Sequence, residues 1–248
     1  MVHLPLVSVV APIFNESEHI EEVLIDWIRK LDEFDAQFRY EIVLCNDSSS
    51  DSTLELLESF SLASGCLRIV SNQQNEGAGY SLRKAISHSR GDFILLVDSD
   101  GQFNIRDLLS HCHSVLSGQF DAVVGQRIKK DSWLLVLGSK LSSSILRYFI
   151  SDSFMDFNCA LKFVEGNLLR SLNLRARGLN YSAEVLTKLI LSKANINQVP
   201  VQHLARKSGK SSSKLFKDGY ARLLWTVQIC LEHHLINKRI LIDYGHEV

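Results

Sequence analysis

The sequence predicts an α/β protein built on one mostly parallel sheet with helices on both faces. Three observations carry that prediction. Over roughly the first half, short apolar, β-branched runs alternate with stretches of helical periodicity, the order that parallel strands joined by crossover helices require. Polar clusters follow Ala11, Cys45 and Val97, each at the carboxyl end of a predicted strand, the rim where such sheets bind ligands. The chain has 248 residues, 46% hydrophobic and 22% charged, enough for a sizeable core of ordinary globular composition.

Leu6–Ala11 reads as the first strand, stopped by Pro12. Asn15 to Ser17 offers helix caps, and Ile20, Val23, Leu24, Trp27, Ile28 and Leu31 follow at helical spacing. Tyr40–Cys45 is a second buried strand. Ser52 and Glu55 form a capping-box pair ahead of Leu54, Leu57 and Phe60. Leu67–Val70 is a third, short strand, and Asn75–Tyr80 leads into a helix through Leu82, Ala85 and Ile86. Phe93–Val97 is a strand buried on both faces, since five apolar residues run together between Gly91-Asp92 and Gly101. A helix near Ile105–Leu116 and a strand at Ala122–Val124 close the regular half.

The second half is less regular. Leu134–Ile150 mixes apolar residues with serines and Arg147, and Met155–Phe163 holds Asp156, Asn158 and Lys162. Tyr181–Leu191 reads as a helix with Glu184 near its start, and Ile196–Val201 as a strand. Arg206–Lys214 is a basic Ser/Lys loop, and a final amphipathic helix spans about Phe216–Leu231.

A net charge of −1 gives no electrostatic case for nucleic acid as a partner. Five dispersed cysteines without a Cys-x-x-Cys pair point to free thiols in a reducing compartment. His111 and His113 do not share a helix face, and His233 and His234 are adjacent, so solvated or packed histidines are the favoured reading. The N-terminus lacks a signal-peptide pattern. The longest apolar stretches fall well short of the roughly 18–20 residues that span a bilayer. A soluble or peripheral protein is expected.

The chemistry concentrates at Asp98-Ser99-Asp100-Gly101-Gln102. Carboxylates at i and i+2 beside a strand end, with a carboxamide two residues on, can converge on one hard cation. Oxygen-only ligands favour Mg2+ or Mn2+ over zinc. The bland alternative is a polar loop whose aspartates merely cap the next helix.

Taken in order, several motifs resemble those of the family-2 inverting glycosyltransferases of GT-A fold, closest to the branch that transfers sugars to dolichyl or polyprenyl phosphate. Val9–Glu16 resembles the first-strand motif that holds the nucleobase, with Pro12, Phe14 and Glu16 in it. Glu41–Asp51 resembles the second nucleotide-binding segment, Asn75–Gly79 the glycine-rich turn, and Asp98–Gln102 the Asp-x-Asp metal motif. Gln102 matches the extra ligand of the polyprenyl-phosphate branch. Val124–Arg127 and Asp156–Lys162 follow at the expected places, and Arg206–Lys214 resembles the late basic loop. The chain departs from the family in Asn46, where an aspartate is usual, in Ser48, where a glycine is, and in Ala160-Leu161, where Gly-Phe is common.

The resemblance implies a GT-A domain over 1–215, with a nucleotide-sugar half at 1–125, an acceptor half at 126–215 and a helical extension at 216–248. It implies a metal-dependent inverting transfer from a UDP- or GDP-sugar to a polyprenyl or dolichyl phosphate. Metal would sit on Asp98, Asp100 and Gln102. The nucleotide sugar would meet Pro12, Phe14, Glu16, Asp47, Gly77, Asp98 and Ser99. Asp100, Arg127 and Asp156 would carry catalysis, and Arg127, Lys162, Arg206, Lys210 and Lys214 would meet phosphate.

Several of these residues have a second reading. Glu16 is also a helix first-turn charge, and Asp51 is either a donor contact or a cap. Gly77 and Gly79 permit close backbone approach or a tight turn, and the basic residues can be a solvated face. Asp156 is a general base if the acceptor is a hydroxyl, and orients cationic groups if it is an ionised phosphate. Trp133–Ile150 is either an interfacial segment or an ordinary helix plus loop. The expected setting is cytoplasmic and peripheral, on the inner face of a membrane, with a membrane-embedded partner or a homo-oligomer as further options. Transfer to a glycan or lipopolysaccharide hydroxyl, and a non-catalytic nucleotide-binding role, are the competing functions.

Overall fold

The computed structural model describes residues 4–128, 142–204 and 224–231. Arg206, Lys210 and Lys214, the first half of the 133–150 segment and much of the 216–248 extension lie outside the described residues.

Strand β1 (Leu6–Ile13), helix α1 (Ile20–Asp32), β2 (Arg39–Asn46), α2 (Thr53–Ser64), β3 (Leu67–Ser71), α3 (Ala78–His88) and β4 (Phe93–Leu96) follow the predicted alternation. The predicted 105–116 helix is two short ones, α4 (Arg106–Leu109) and α5 (His113–Leu116). After β5 (Ala122–Arg127) come a helix at 142–149, here α6, then β6 (Lys162–Glu165), α7 (Gly166–Ser171), α8 (Tyr181–Leu191), β7 (Ile196–Val201) and a helix at 224–231, here α9.

The seven strands lie in the order β3-β2-β1-β4-β6-β5-β7. All pairings are parallel except those of β6, which runs antiparallel to β4 and β5. Consecutive buried residues along β1, from Val7 to Ala11, mean that both sheet faces are covered. The β-branched Val7, Val9 and Val10 suit a pleated interior strand.

Pro12 does not stop β1. Its backbone points toward β4, where the ladder has already ended at the Val10–Leu96 pair, so the missing N–H breaks no sheet bond. The expected helix caps also differ. Asn15 to Ser17 form a loop, and α1 begins three residues later, at Ile20. Ser52 makes no side-chain cap on α2; Asp51 does that work, accepting from the Thr53 N–H at 3.1 Å. Of the two readings of Asp51, the geometry is that of a cap.

One apolar core runs from Val7 to Val201 and so draws on both halves of the chain. A second, smaller cluster joins Val124, Leu146, Phe157, Ala183, Leu186, Ile229 and Cys230, packing α6, α8 and α9 against the end of β5. Ser142 and Thr226 share a hydrogen bond of 2.9 Å between the two outer helices.

Candidate active site

The site lies along the carboxyl ends of β1, β2, β4 and β5, where the parallel strands stop and their loops turn away. At one end of this rim, the loops after β1 and β2 are bound to each other. The Asn15 side chain accepts the Ser50 N–H at 2.8 Å, the Ser17 N–H reaches Asp51 at 3.2 Å, and the Glu16 N–H reaches Thr53 Oγ1 at 2.9 Å. Asn15 and Ser48 both hold positive φ, 54° and 60°. Ser48 thus keeps the left-handed turn for which a glycine is the low-cost choice. Asn46 accepts from the Ser49 N–H and hydroxyl, at 3.2 and 2.6 Å, and closes that turn.

Four residues expected to meet the nucleotide sugar make contacts within the protein. Asp47 is 2% exposed. Its carboxylate accepts the N–H groups of Glu76 and Gly77, at 2.9 and 2.8 Å, and the Asn72 amide at 2.7 Å. Gly77, with its N–H on Asp47, has φ 93°, and a Cβ there would stand 2.5 Å from the Arg177 carbonyl oxygen. The close approach its lack of a side chain permits is to the chain's own backbone. Ser99 donates to the Pro12 carbonyl at 3.0 Å, tying the Asp-x-Asp turn to β1. Glu16 is buried, its carboxylate 2.8 Å from His19 Nε2. Pro12 and Phe14 remain partly exposed at the rim.

At the centre, Asp98 and Asp100 follow β4, and Gly101 turns the chain with φ 70°. Burial, then the neighbouring charge of Asp100, pushes the Asp98 carboxyl up to about 6, against the pull of a hydrogen bond from Tyr181 and the charges of Lys162 and Arg127. The Gln102 N–H donates to Asp100 at 3.1 Å, and its Nε2 donates to the Leu204 carbonyl at 2.9 Å. That bond fixes the amide and holds Leu204, three residues after β7, beside the motif.

Among the described residues no three His, Cys, Asp or Glu side chains converge as a metal site. The donor set is two mutually repelling carboxylates and an amide oxygen. This suits Mg2+ or Mn2+, which characteristically take one or two protein carboxylates and complete their shell with water and substrate phosphate.

At the other end of the rim, Arg127 at the end of β5 meets Asp156 in a two-pronged ion pair. Its Nε donates to Oδ2 at 2.7 Å and its Nη2 to Oδ1 at 2.9 Å. Asp156 is 1% exposed. Burial works against the Arg127 charge, but the Asp156 carboxylate outweighs it and holds the guanidinium protonated. Lys162, expected to touch phosphate, lies beneath the surface. It is 1% exposed and donates to the Cys159 carbonyl and, at 2.7 Å, to Ser182 Oγ. Burial pulls its ammonium down to about 8. Its position on antiparallel β6, between β4 and β5, forces it inside.

Three residues outside the expected set help to build the site. Asn72 bridges Asp47 and Ser81, at 2.7 and 2.8 Å. It follows β3 as Asp47 follows β2, so the strand-end rule pointed to it. Tyr181, at the start of α8, donates to Asp98. Glu184, one turn on, accepts the Arg175 and Ala176 N–H groups at 2.7 and 2.8 Å. Neither carries a local sequence signal beyond its place in a helix first turn.

Among curated proteins, the chain is 26% identical over 232 residues to the undecaprenyl-phosphate 4-deoxy-4-formamido-L-arabinose transferase of Edwardsiella ictaluri (strain 93-146), covering 92% of this chain and 68% of that one. It is 32% identical over 149 residues to the dolichyl-phosphate beta-glucosyltransferase of Dictyostelium discoideum, covering 57% and 46%. Its fold matches glucosyl-3-phosphoglycerate synthase from Mycobacterium tuberculosis, solved with Mn2+, UDP and glucosyl-3-phosphoglycerate. The TM-score is 0.68 at 21% identity, over 90% of this chain and 80% of that one. The family model for glycosyl transferase family 2 matches residues 8–150. With more than half of the chain inside that match, and a mostly parallel sheet that carries the Asp-x-Asp turn at its rim, the protein belongs to glycosyl transferase family 2.

Proposed function

We propose that the chain moves a sugar, with inversion, from a UDP- or GDP-sugar to a polyprenyl or dolichyl phosphate. The observation that carries the acceptor is the Arg127–Asp156 pair. A hydroxyl acceptor must lose a proton to a base, and Asp156 is the nearest candidate. Both of its oxygens are occupied by Arg127, a geometry for orienting a cation and not for taking a proton. A phosphate monoester is already ionised and needs no base, and it is drawn to an oriented guanidinium. The names of the curated relatives, which act on undecaprenyl and dolichyl phosphate, support the same acceptor.

In this reading, Asp98, Asp100 and the Gln102 amide oxygen hold Mg2+ or Mn2+. A bound cation would offset the negative charge that builds on the departing diphosphate. Asp47 and Asn72 hold the loop before α3 in place at the donor rim. Arg127 faces the anionic acceptor, and Lys162 adds positive charge from below. Arg206, Lys210 and Lys214 are proposed as further phosphate contacts. A phosphate oxygen of the acceptor attacks the anomeric carbon as the bond to the nucleoside diphosphate breaks on the opposite side, so the configuration inverts.

The proposed setting is the cytoplasmic face of a membrane. Among the described residues no helix is long and apolar enough to cross one. Helices α6 and α9, held together by the Ser142–Thr226 bond, expose Tyr148, Phe149, Leu224, Val227 and Leu231, which suits a lipid surface.

The test is release of nucleoside diphosphate from a panel of UDP- and GDP-sugars, with and without Mn2+, against polyprenyl phosphate and against soluble glycans. The expected result is turnover that needs both the cation and the lipid phosphate. Turnover on a soluble glycan hydroxyl, with none on the lipid phosphate, would overturn the acceptor assignment.

A further inference from the structure

Asp98 is held from the acceptor side. Strand β4 ends at Leu96, and the last backbone bond from this segment to β1 runs from the Val97 N–H to the Val10 carbonyl. Asp98 therefore lies beyond the sheet's own ladder. Its carboxylate oxygen Oδ1 takes the hydroxyl of Tyr181, and Tyr181 belongs to α8, more than eighty positions away in sequence. The ring is 5% exposed and packs in the main core.

The start of α8 is anchored on both sides. Ser182 Oγ donates to the Cys159 carbonyl at 2.5 Å and accepts from Lys162 at 2.7 Å. Glu184 gathers the Arg175 and Ala176 amides, and Arg83 donates to the Ala176 carbonyl at 2.7 Å. The Arg177 carbonyl in turn accepts the Gly79 N–H at 2.7 Å, at the first turn of α3. Gly79 admits this contact because it has no Cβ, which would stand 2.4 Å from the Ala176 carbonyl oxygen. Residues 175–184 thus form a crosspiece that touches the donor-side helix, the acceptor-side floor and Asp98.

We propose that Tyr181 is a positioning residue for the divalent cation: its hydroxyl fixes one oxygen of Asp98 and so orients the other toward the ion. Cation affinity then depends on a helix of the acceptor half. The inference rests on the metal reading given under Proposed function. Groups that orient a metal ligand without touching the metal commonly govern its affinity.

The experiment is a titration of the full chain with Mn2+, followed by loss of the free-ion EPR signal, with saturating UDP and, in a parallel series, GDP. Wild type is compared with Tyr181→Phe, which keeps the ring and removes the hydroxyl. Leu189→Val, a purely apolar change in the core of α8, is the packing control. The expected result is about tenfold weaker Mn2+ binding in Tyr181→Phe, the low end for loss of such a partner. Leu189→Val keeps wild-type affinity, and kcat of Tyr181→Phe at saturating Mn2+ stays within about twofold of wild type.

Equal Mn2+ affinity in Tyr181→Phe and wild type overturns the inference and leaves the metal reading standing. So does an equal weakening in Leu189→Val, or a loss of turnover in Tyr181→Phe that saturating Mn2+ does not restore. Failure of wild type to bind Mn2+ with either nucleotide overturns both.

Discussion

The two sides of the sheet rim satisfy their polar groups in different ways. On the side proposed for the donor, Asp47, Asp51, Asn46 and Ser99 bind backbone N–H or C=O groups of the loops at the rim. Their partners are mostly neutral, and the result is a set of rigid turns. On the side proposed for the acceptor, the mostly buried Arg127 and the buried Asp156 and Lys162 are charged and brought together from β5, the segment before β6, and β6 itself. The donor rim is a shape held by hydrogen bonds, whereas the acceptor rim is a charge held by an ion pair. A nucleotide can be bound by fitted backbone turns, but an anionic acceptor needs an oriented cation.

That contrast breaks most visibly at the acceptor ion pair. Asp156→Ala leaves the mostly buried Arg127 guanidinium without its partner, and loss of one member of a buried pair costs about 3–5 kcal/mol. Urea unfolding should show a drop of that size. A change under about 1 kcal/mol, as for an exposed pair, would mean that the pair is not the buried element described.

The next effect is one of pH. Burial pulls Lys162 down to about 8, so between about pH 8 and its ordinary value of 10.5 the unfolded chain holds a proton that the native chain lacks. Stability from this group therefore rises with pH across that window, and the cost of burying the charge is fully present below it. Cys159, pushed up to about 11 from 9.0 by burial, works in the opposite sense over pH 9–11. The difference between wild type and Lys162→Met isolates the lysine. Wild type should gain on the variant as pH rises through 8 to 10, in chemical denaturation at each pH. A flat difference would place the ammonium in water.

The smallest effect is on the donor rim. Ser48 holds φ 60°, a conformation that costs a non-glycine residue roughly 1–2 kcal/mol, partly offset by the greater chain entropy glycine loses on folding. Ser48→Gly should raise stability by about 0.5–1 kcal/mol, seen as a higher Tm. A lower Tm would mean that the serine hydroxyl supports the turn.

The same contrast explains what the sequence made legible. The regular half was readable because its strands are continuous apolar runs and its helices have clear periodicity: β1 to α3 and α8 stand close to where the pattern puts them. Strand β6 was not, because Lys162-Phe163-Val164-Glu165 is short and carries charge at both ends, and only its neighbours in the sheet make it a strand. In the site, the Asp-x-Asp turn and the Arg127 and Asp156 positions were visible as polar residues at strand ends and motif positions. Which residues pair with which was not. The contacts of Asp47 with Gly77, Tyr181 with Asp98, and Arg127 with Asp156 join residues 30, 83 and 29 positions apart, and no local spacing reports such distances.

The most direct test of the acceptor assignment is a head-to-head assay of two acceptors that differ only in the phosphate. Polyprenyl phosphate and the corresponding polyprenol are offered with the same nucleotide sugar and Mn2+. Sugar transfer to the phosphate and none to the alcohol is expected, because in the proposed mechanism Arg127 holds both Asp156 oxygens and no base serves the acceptor. Transfer to the alcohol at a comparable rate would contradict it.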